Sequence, residues 1–265
     1  MARTIGIVSL KGGVGKTSSV AALGAALAEF GKKILLVDAN FSAPNLGIHF
    51  NILNPDKTLH DVLTNDLNIR DATYVISNGF HIIPAGLFDK REINPFRLRD
   101  KLKSVGGDYD LILIDSSPAM NKETLAVILA SDEIFVVTTP DYSTLATTIK
   151  AVKMAKQRGT PVSGLILNQV YGKNFELSMD EIEKIAESPI LAVIPHDIEV
   201  LKAQSNFLPS VMHNPKSPGT IEYKKLAAMM IGEKYKPFIF KELFNLISPS
   251  RQDINREIFY ERVFK

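Results

Sequence analysis

The heptapeptide Lys11-Gly12-Gly13-Val14-Gly15-Lys16-Thr17 concentrates more potential chemistry than any other stretch of the chain. It follows the apolar run Ile5 to Leu10 and opens an alanine-rich helical stretch, the setting in which a glycine-rich turn becomes a phosphate cradle. Gly12, Gly13 and Gly15 carry no Cβ, so backbone N–H groups from Gly12 through Ser18, Val14 among them, can converge on phosphate oxygens. The helix that begins at Lys16 adds the positive end of its dipole. Lys16 is expected to reach the β- and γ-phosphates, and the Thr17 hydroxyl to ligate Mg²⁺.

A second carboxylate-bearing motif supports this reading. The run Tyr109-Asp110-Leu111-Ile112-Leu113-Ile114-Asp115 is an apolar strand that ends by presenting one carboxylate, Asp115, to a metal ion, about 100 residues after the glycine loop. An aspartate at a strand end also serves as a helix cap, but here its company favours the metal role.

The KGGVGKT form, with its extra Lys11, resembles the deviant phosphate loop of the ParA/MinD superfamily of dimerising ATPases. The resemblance covers roughly residues 1 to 232 and is nearest to MinD-like proteins. It implies that Lys11 crosses a dimer interface to the phosphates bound by a second copy, so that ATP holds a homodimer together. A second lysine offsets triphosphate charge only when the partner is docked, which is the physical sense of such a device. Ser116-Ser117-Pro118-Ala119 matches the family's γ-phosphate sensor, and Pro44-Asn45-Leu46-Gly47 is similar to its first switch loop. Asp38-Ala39-Asn40 stands where most members resemble Asp-x-Asp; Asp38 is retained as a metal and catalytic residue, while Asn40 replaces the second carboxylate. An amide holds water without the charge that polarises it, so hydrolysis is expected to be slow; the opposing expectation is that Asp38 and Asp115 suffice. Asn168 matches the family residue that reads the adenine edge, and Pro195, His196 and Asp197 match the loop that walls the base. The implied ligands are ATP and Mg²⁺.

These residues need a scaffold that gathers them at one edge. Strand signals at Ile5–Leu10, Lys33–Asp38, His81–Ala85, Leu111–Asp115, Glu133–Thr139, Val162–Val170 and Ile190–Ile194 alternate with helical ones at 16–30, 58–65, 94–105, 122–131, 144–158, 179–187 and 221–231. Near-continuous apolar strands separated by helices predict an α/β fold, a mostly parallel sheet covered on both faces. The glycine loop, Asp38 and Asp115 then fall at the carboxyl ends of neighbouring strands, where such folds bind ligands.

Composition sets the outer limits. The chain has 265 residues, a formal net charge of +2, 23% charged residues and no cysteine. Disulfides, thiolate metal sites and cysteine nucleophiles are excluded, and with them the iron–sulfur carriers of related fold. No apolar run approaches the roughly 20 residues of a membrane span, and a cytoplasmic protein is expected.

After residue 232 the composition changes, so residues 1–232 read as the ATPase domain and 233–265 as a C-terminal tail. Phe240, Leu243, Phe244 and Ile247 share one helical face, and a second helix is expected from Arg251 to Phe264. By resemblance to MinD the first segment is a membrane-binding device placing the protein peripherally on the inner face of the cell membrane; it equally fits docking on the body or on a protein partner. The leading expectation is an ATP-gated spatial organiser of a cellular structure, switching membrane or partner binding with its ATP state. The alternative is a partition ATPase whose dimer binds nonspecific DNA through Lys90, Arg91, Arg97, Arg99, Lys101 and Lys103.

Overall fold

The computed structural model describes residues 1–77, 79–89, 91–237 and 250–264. Its framework is one eight-stranded sheet in the order β3-β4-β2-β5-β1-β6-β7-β8. The strands are β1 (Arg3–Val8), β2 (Ile34–Asp38), β3 (Tyr74–Ser77), β4 (Phe80–Ile83), β5 (Leu111–Asp115), β6 (Glu133–Thr138), β7 (Val162–Val170) and β8 (Ile190–Pro195). All pair in parallel except β3, which runs antiparallel to β4 at one edge. β1 lies at the centre, between β5 and β6, and the chain changes direction across it, which opens a crevice above its carboxyl end.

Side chains alternate between the two faces of the sheet and build two cores. Ile5, Ile7, Leu36, Leu113 and Ile166 pack under α1 (Lys16–Glu29), α8 (Ser210–His213) and α9 (Pro218–Met230). Val8, Val37, Ile112, Ile114 and Val136 pack under α2 (Leu59–Thr64), α3 (Leu98–Lys103), α4 (Lys122–Ala130), α5 (Tyr142–Gln157) and α6 (Met179–Ala186). The doubly covered parallel sheet expected from the sequence is therefore present.

Several elements differ from expectation, each for a local reason. The first strand ends at Val8, because Ser9 to Gly15 form the loop. The span 94–105 divides into a tight turn at Pro95–Arg97, capped by Asn94, and a short helix α3. α5 starts at Tyr142, because Asp141 caps it by accepting from Thr144 N, and α9 starts at Pro218 behind a Ser217 cap. The edge strand β3, α7 (Ile198–Ser205) and α8 are additions. β3 carries too few alternating residues to stand out, and α7 places exposed Ile198 and Leu201 where a packed helix would bury them.

The helix expected near the C-terminus is α10 (Arg251–Phe264), and it is packed on the body. Phe259 is buried in the core of α1 and α9, with its ring 6.3 Å from that of Phe135. Asn255 Nδ2 donates to Ile190 O at 2.7 Å and Arg256 Nη1 to Leu191 O at 3.0 Å, both on the edge strand β8. Arg256 also pairs with Glu222 of α9 at 3.1 Å and with Asp253. A helix thus covers this sheet edge, a usual protection against edge pairing. The amphipathic face Phe240 to Ile247, and Lys90, lie outside the described residues.

Candidate functional site

The loop after β1 enters α1 through two residues in the left-handed region, Gly13 at φ 78° and Gly15 at φ 86°. At Gly15 glycine is required twice over, since a Cβ there would stand 2.2 Å from Asn168 Nδ2. Above Gly12 and Gly13 the space is open, with nothing within 4 Å of where a Cβ would be. The loop floors a cleft of about 660 Å³ whose walls include Asn40, Asn45 and Pro118 on one side and Asn168, Pro195 and His196 on the other. The glycine loop and the loops that carry Asn45, Pro118 and Pro195–His196 therefore meet at one site. Thr17, Ser18 and Asp197 line it too.

Charge is concentrated beneath the loop. β2 and β5 are in register with Asp38 opposite Asp115, so two fully buried carboxylates stand side by side. Buried Lys16 is their cation, with Nζ 2.5 Å from Asp115 Oδ1, and Thr17 Oγ1 donates to Asp115 Oδ2 at 2.7 Å. Burial first, and then the charge of Asp115, push Asp38 up to about 7, against the amides of Leu46 and Asn40 and the charge of Lys16. Asp38 accepts from Asn40 N at 3.1 Å, Asn45 N at 3.1 Å and Leu46 N at 3.0 Å, which lashes the loop of Asn45 and Leu46 to the end of β2.

Asn40 is buried, and its Nδ2 donates to Ala43 O. Its Oδ1 has no partner. A buried acceptor without a donor is costly, and this one lines the cleft beside the two carboxylates. Among the described residues no group of three His, Asp or Glu side chains could cage an ion alone. Mg²⁺ does not need one, because it keeps several waters and shares phosphate oxygens with one or two protein ligands. Thr17 Oγ1 and the Asp115 carboxylate supply protein oxygens, the orphaned Asn40 Oδ1 would accept from a metal-bound water, and the open volume over Gly12 and Gly13 fits phosphate. The residues present therefore suit Mg²⁺ and a nucleotide.

Lys11 lies at the cleft rim, and within the chain it faces α5. Its Nζ donates to Thr144 Oγ1 at 2.6 Å and lies 3.3 Å from Asp141 Oδ1. Burial opposes the Asp141 charge, but hydrogen bonds from Thr139 and Thr144, with Lys11, hold its carboxyl well below the usual range. Sequence reading had no place for Asp141 and Thr144 in the site, although an Asp-x-x-Thr helix cap next to the strand end was a visible signal. Two further contacts were beyond it. Tyr223 Oη lies 2.9 Å from Ser19 Oγ behind the loop, and Gln204 Nε2 donates to Ser18 Oγ at 2.7 Å.

The base side is aromatic and amide-rich. His196 is exposed and meets the Tyr171 ring edge-on at 4.4 Å. Asp197 caps α7 by accepting from Glu199 N at 2.9 Å. Asn168 is buried, lines the cleft, and its Nδ2 donates to Val14 O at 2.7 Å.

A phosphate loop between β1 and α1, with carboxylates at the ends of β2 and β5, defines a P-loop nucleoside triphosphatase. A family model described as an AAA domain matches residues 2–160. An uncharacterized ATP-binding protein of Methanocaldococcus jannaschii is 36% identical over 94% of this chain and 95% of its own length. The cell division ATPase MinD of Pyrococcus furiosus superposes with a TM-score of 0.81 at 33% identity, covering 86% of this chain and 97% of that one. MinD of Pyrococcus horikoshii, solved with Mg-ADP, gives the same score and identity over 87% and 96%. The chain belongs to the ParA/MinD superfamily of ATPases, and its ligands are ATP and Mg²⁺.

Proposed function

We propose that this protein is an ATP-gated spatial organiser, in which the ATP state closes a homodimer and so switches a surface for a partner, cargo or membrane. The observation that carries the reading is Lys11, a second cation at the rim of the phosphate cleft, held within its own chain by partly exposed Asp141 and by the buried Thr144 hydroxyl. The ion pair with Asp141 is partly exposed and weak, and Thr144 Oγ1 keeps Thr139 and Asp141 as partners when Lys11 leaves, so Lys11 can engage phosphates bound by a second copy.

Within one copy, backbone amides of Gly12 to Ser18 cradle the phosphates and Lys16 swings from Asp115 to them. Thr17 and Asp115 would hold Mg²⁺, with Asp38 behind, and the bound ion would supply positive charge at the transferring phosphoryl group. The Asn168 amide oxygen accepts from the adenine amino group, and Pro195, His196 and Asp197 wall the base. Asn40 orients water through a neutral acceptor, which makes turnover slow and the ATP-bound dimer long-lived.

With α10 packed on the body, the output element is read as the rest of the tail, whose apolar residues Phe240, Leu243, Phe244 and Ile247 would bind a membrane surface or a protein. No described helix is long and apolar enough to cross a membrane. DNA is the weaker reading. Arg91 pairs with Asp61 and Asp89, and Arg97 and Lys101 both pair with Asp66, which leaves less free positive charge there than the sequence suggests.

The test is sedimentation velocity of the full chain with Mg-ADP, Mg-ATP and a nonhydrolysable analogue, beside Lys11→Ala. Dimer formed only with triphosphate, and lost in Lys11→Ala while nucleotide still binds, is the expected result. A monomer in every nucleotide state would sink the dimer switch. Vesicle co-sedimentation of the same samples, with Phe240→Asp/Phe244→Asp as control, separates membrane from protein docking.

A further inference from the structure

Gln169, next to the base-reading position, has an unusual backbone. Its φ is 57°, in the left-handed region that favours glycine and asparagine and that a glutamine adopts at a cost. The pairing of β7 with β8 slips at the same point. Leu167 lies opposite Val193 and Val170 opposite Pro195, so three steps along β7 match two along β8. One extra residue is accommodated at 168–169, a bulge of the kind that re-aims side chains beside sites.

The consequence is visible in two hydrogen bonds. Neighbours in a regular strand point to opposite faces. Here both amides reach the glycine loop: Asn168 Nδ2 donates to Val14 O at 2.7 Å, and Gln169 Nε2 to Gly13 O at 2.9 Å. In a trans peptide the carbonyl and the following N–H point in opposite directions. Drawing the oxygens of Gly13 and Val14 toward β7 therefore turns the N–H groups of Val14 and Gly15 the other way, which favours their facing phosphate. A glycine at 169 would remove the backbone cost but could not donate.

We infer that Gln169 is a positioning residue of the phosphate loop, and that the β7 bulge serves to set two adjacent amides on two consecutive loop carbonyls. This rests on the nucleotide-binding reading and deepens it. Because Asn168 also faces the base, the brace joins base recognition and phosphate geometry in one rigid unit.

The experiment compares wild type with Gln169→Gly, Gln169→Glu and Gln169→Ala. Affinity for Mg-ADP and for Mg-tripolyphosphate, which has no base, is measured by calorimetry, and amide exchange of Gly12 to Lys16 is followed by NMR without ligand. Gly at 169 relieves the backbone, Glu keeps the length but cannot donate, and Ala loses the amide while keeping the cost. The expected result is that all three weaken both ligands by the same factor, about three- to tenfold, with faster exchange at Val14 and Gly15 and an unchanged unfolding midpoint for Gln169→Gly. Wild-type affinity and exchange in Gln169→Gly or in Gln169→Glu would overturn the inference. Should wild type bind neither ligand, the nucleotide reading fails, while the exchange comparison still decides whether Gln169 braces the loop.

Discussion

Lys11 donates to Thr144 Oγ1 at 2.6 Å, so the lysine that marks this phosphate loop is tethered to the first turn of α5 in its own chain. Asp141, at 3.3 Å, completes the tether. More than a third of each of the charged side chains is exposed, which limits the pair to about 0–1 kcal/mol. Asp141→Asn is expected to release Lys11 and to strengthen ATP-dependent dimerisation by about two- to fivefold, read as the dimer dissociation constant in sedimentation. An unchanged constant would show that the tether does not compete with dimer formation.

Asn40 offers a second test, because its Oδ1 is buried without a partner at the cleft that Asp38 and Asp115 underlie. Asn40→Asp adds charge that polarises water, and steady-state turnover is expected to rise by about tenfold or more. The same change puts a third buried acid beside Asp38 and Asp115 with Lys16 as their close cation, so thermal stability without Mg²⁺ should fall. Equal turnover in both forms would mean that Asp38 and Asp115 suffice.

His60 predicts an acid limb in stability. It is buried, accepts from Gly86 N at 3.1 Å, and burial lowers its pKa below 6.5 despite Asp89, Asp61 and Glu123 nearby, with Arg91 acting in the same direction as burial. Below pH 6.5 the unfolded chain takes up a proton that the folded one refuses, so stability is full above 6.5 and falls as pH drops toward the lowered folded value. The loss is at most about 1.4 kcal/mol per pH unit for one group. His49 and His81 are lowered too and share the limb. Urea titrations at pH 5 to 8 should show a shallower limb in His60→Gln than in wild type.

Phe259 makes α10 part of the fold's stability. Phe259→Ala opens a cavity against Phe135 and the α1 and α9 core, at an expected cost of about 3–5 kcal/mol in urea denaturation. A chain ending at Ile231 would also uncover edge strand β8, and aggregation is expected by light scattering. A stable, monomeric truncation would show that α10 is dispensable. For the same reason point changes at Phe240 and Phe244 test the tail more cleanly than truncation does.

What the sequence determined by itself is whatever local chemistry dictates. Three glycines and Lys16 between an apolar run and a helix can form little but a phosphate loop, and buried strands ending in Asp38 and Asp115 place those carboxylates at the same edge through the parallel sheet. The helix Arg251–Phe264 was legible from its spacing, but not the surface it covers. Tertiary structure decided the partners: Lys11 with Thr144, Lys16 with Asp115 ahead of any phosphate, Arg97 and Lys101 with Asp66, and Gln169 with Gly13. These contacts join residues from about 30 to more than 150 positions apart. Periodicity and capping act over a few residues and carry no information at that range. Gln169 shows the limit most clearly: its role depends on a left-handed backbone and a one-residue slip against β8, and both arise only once the strands are packed together.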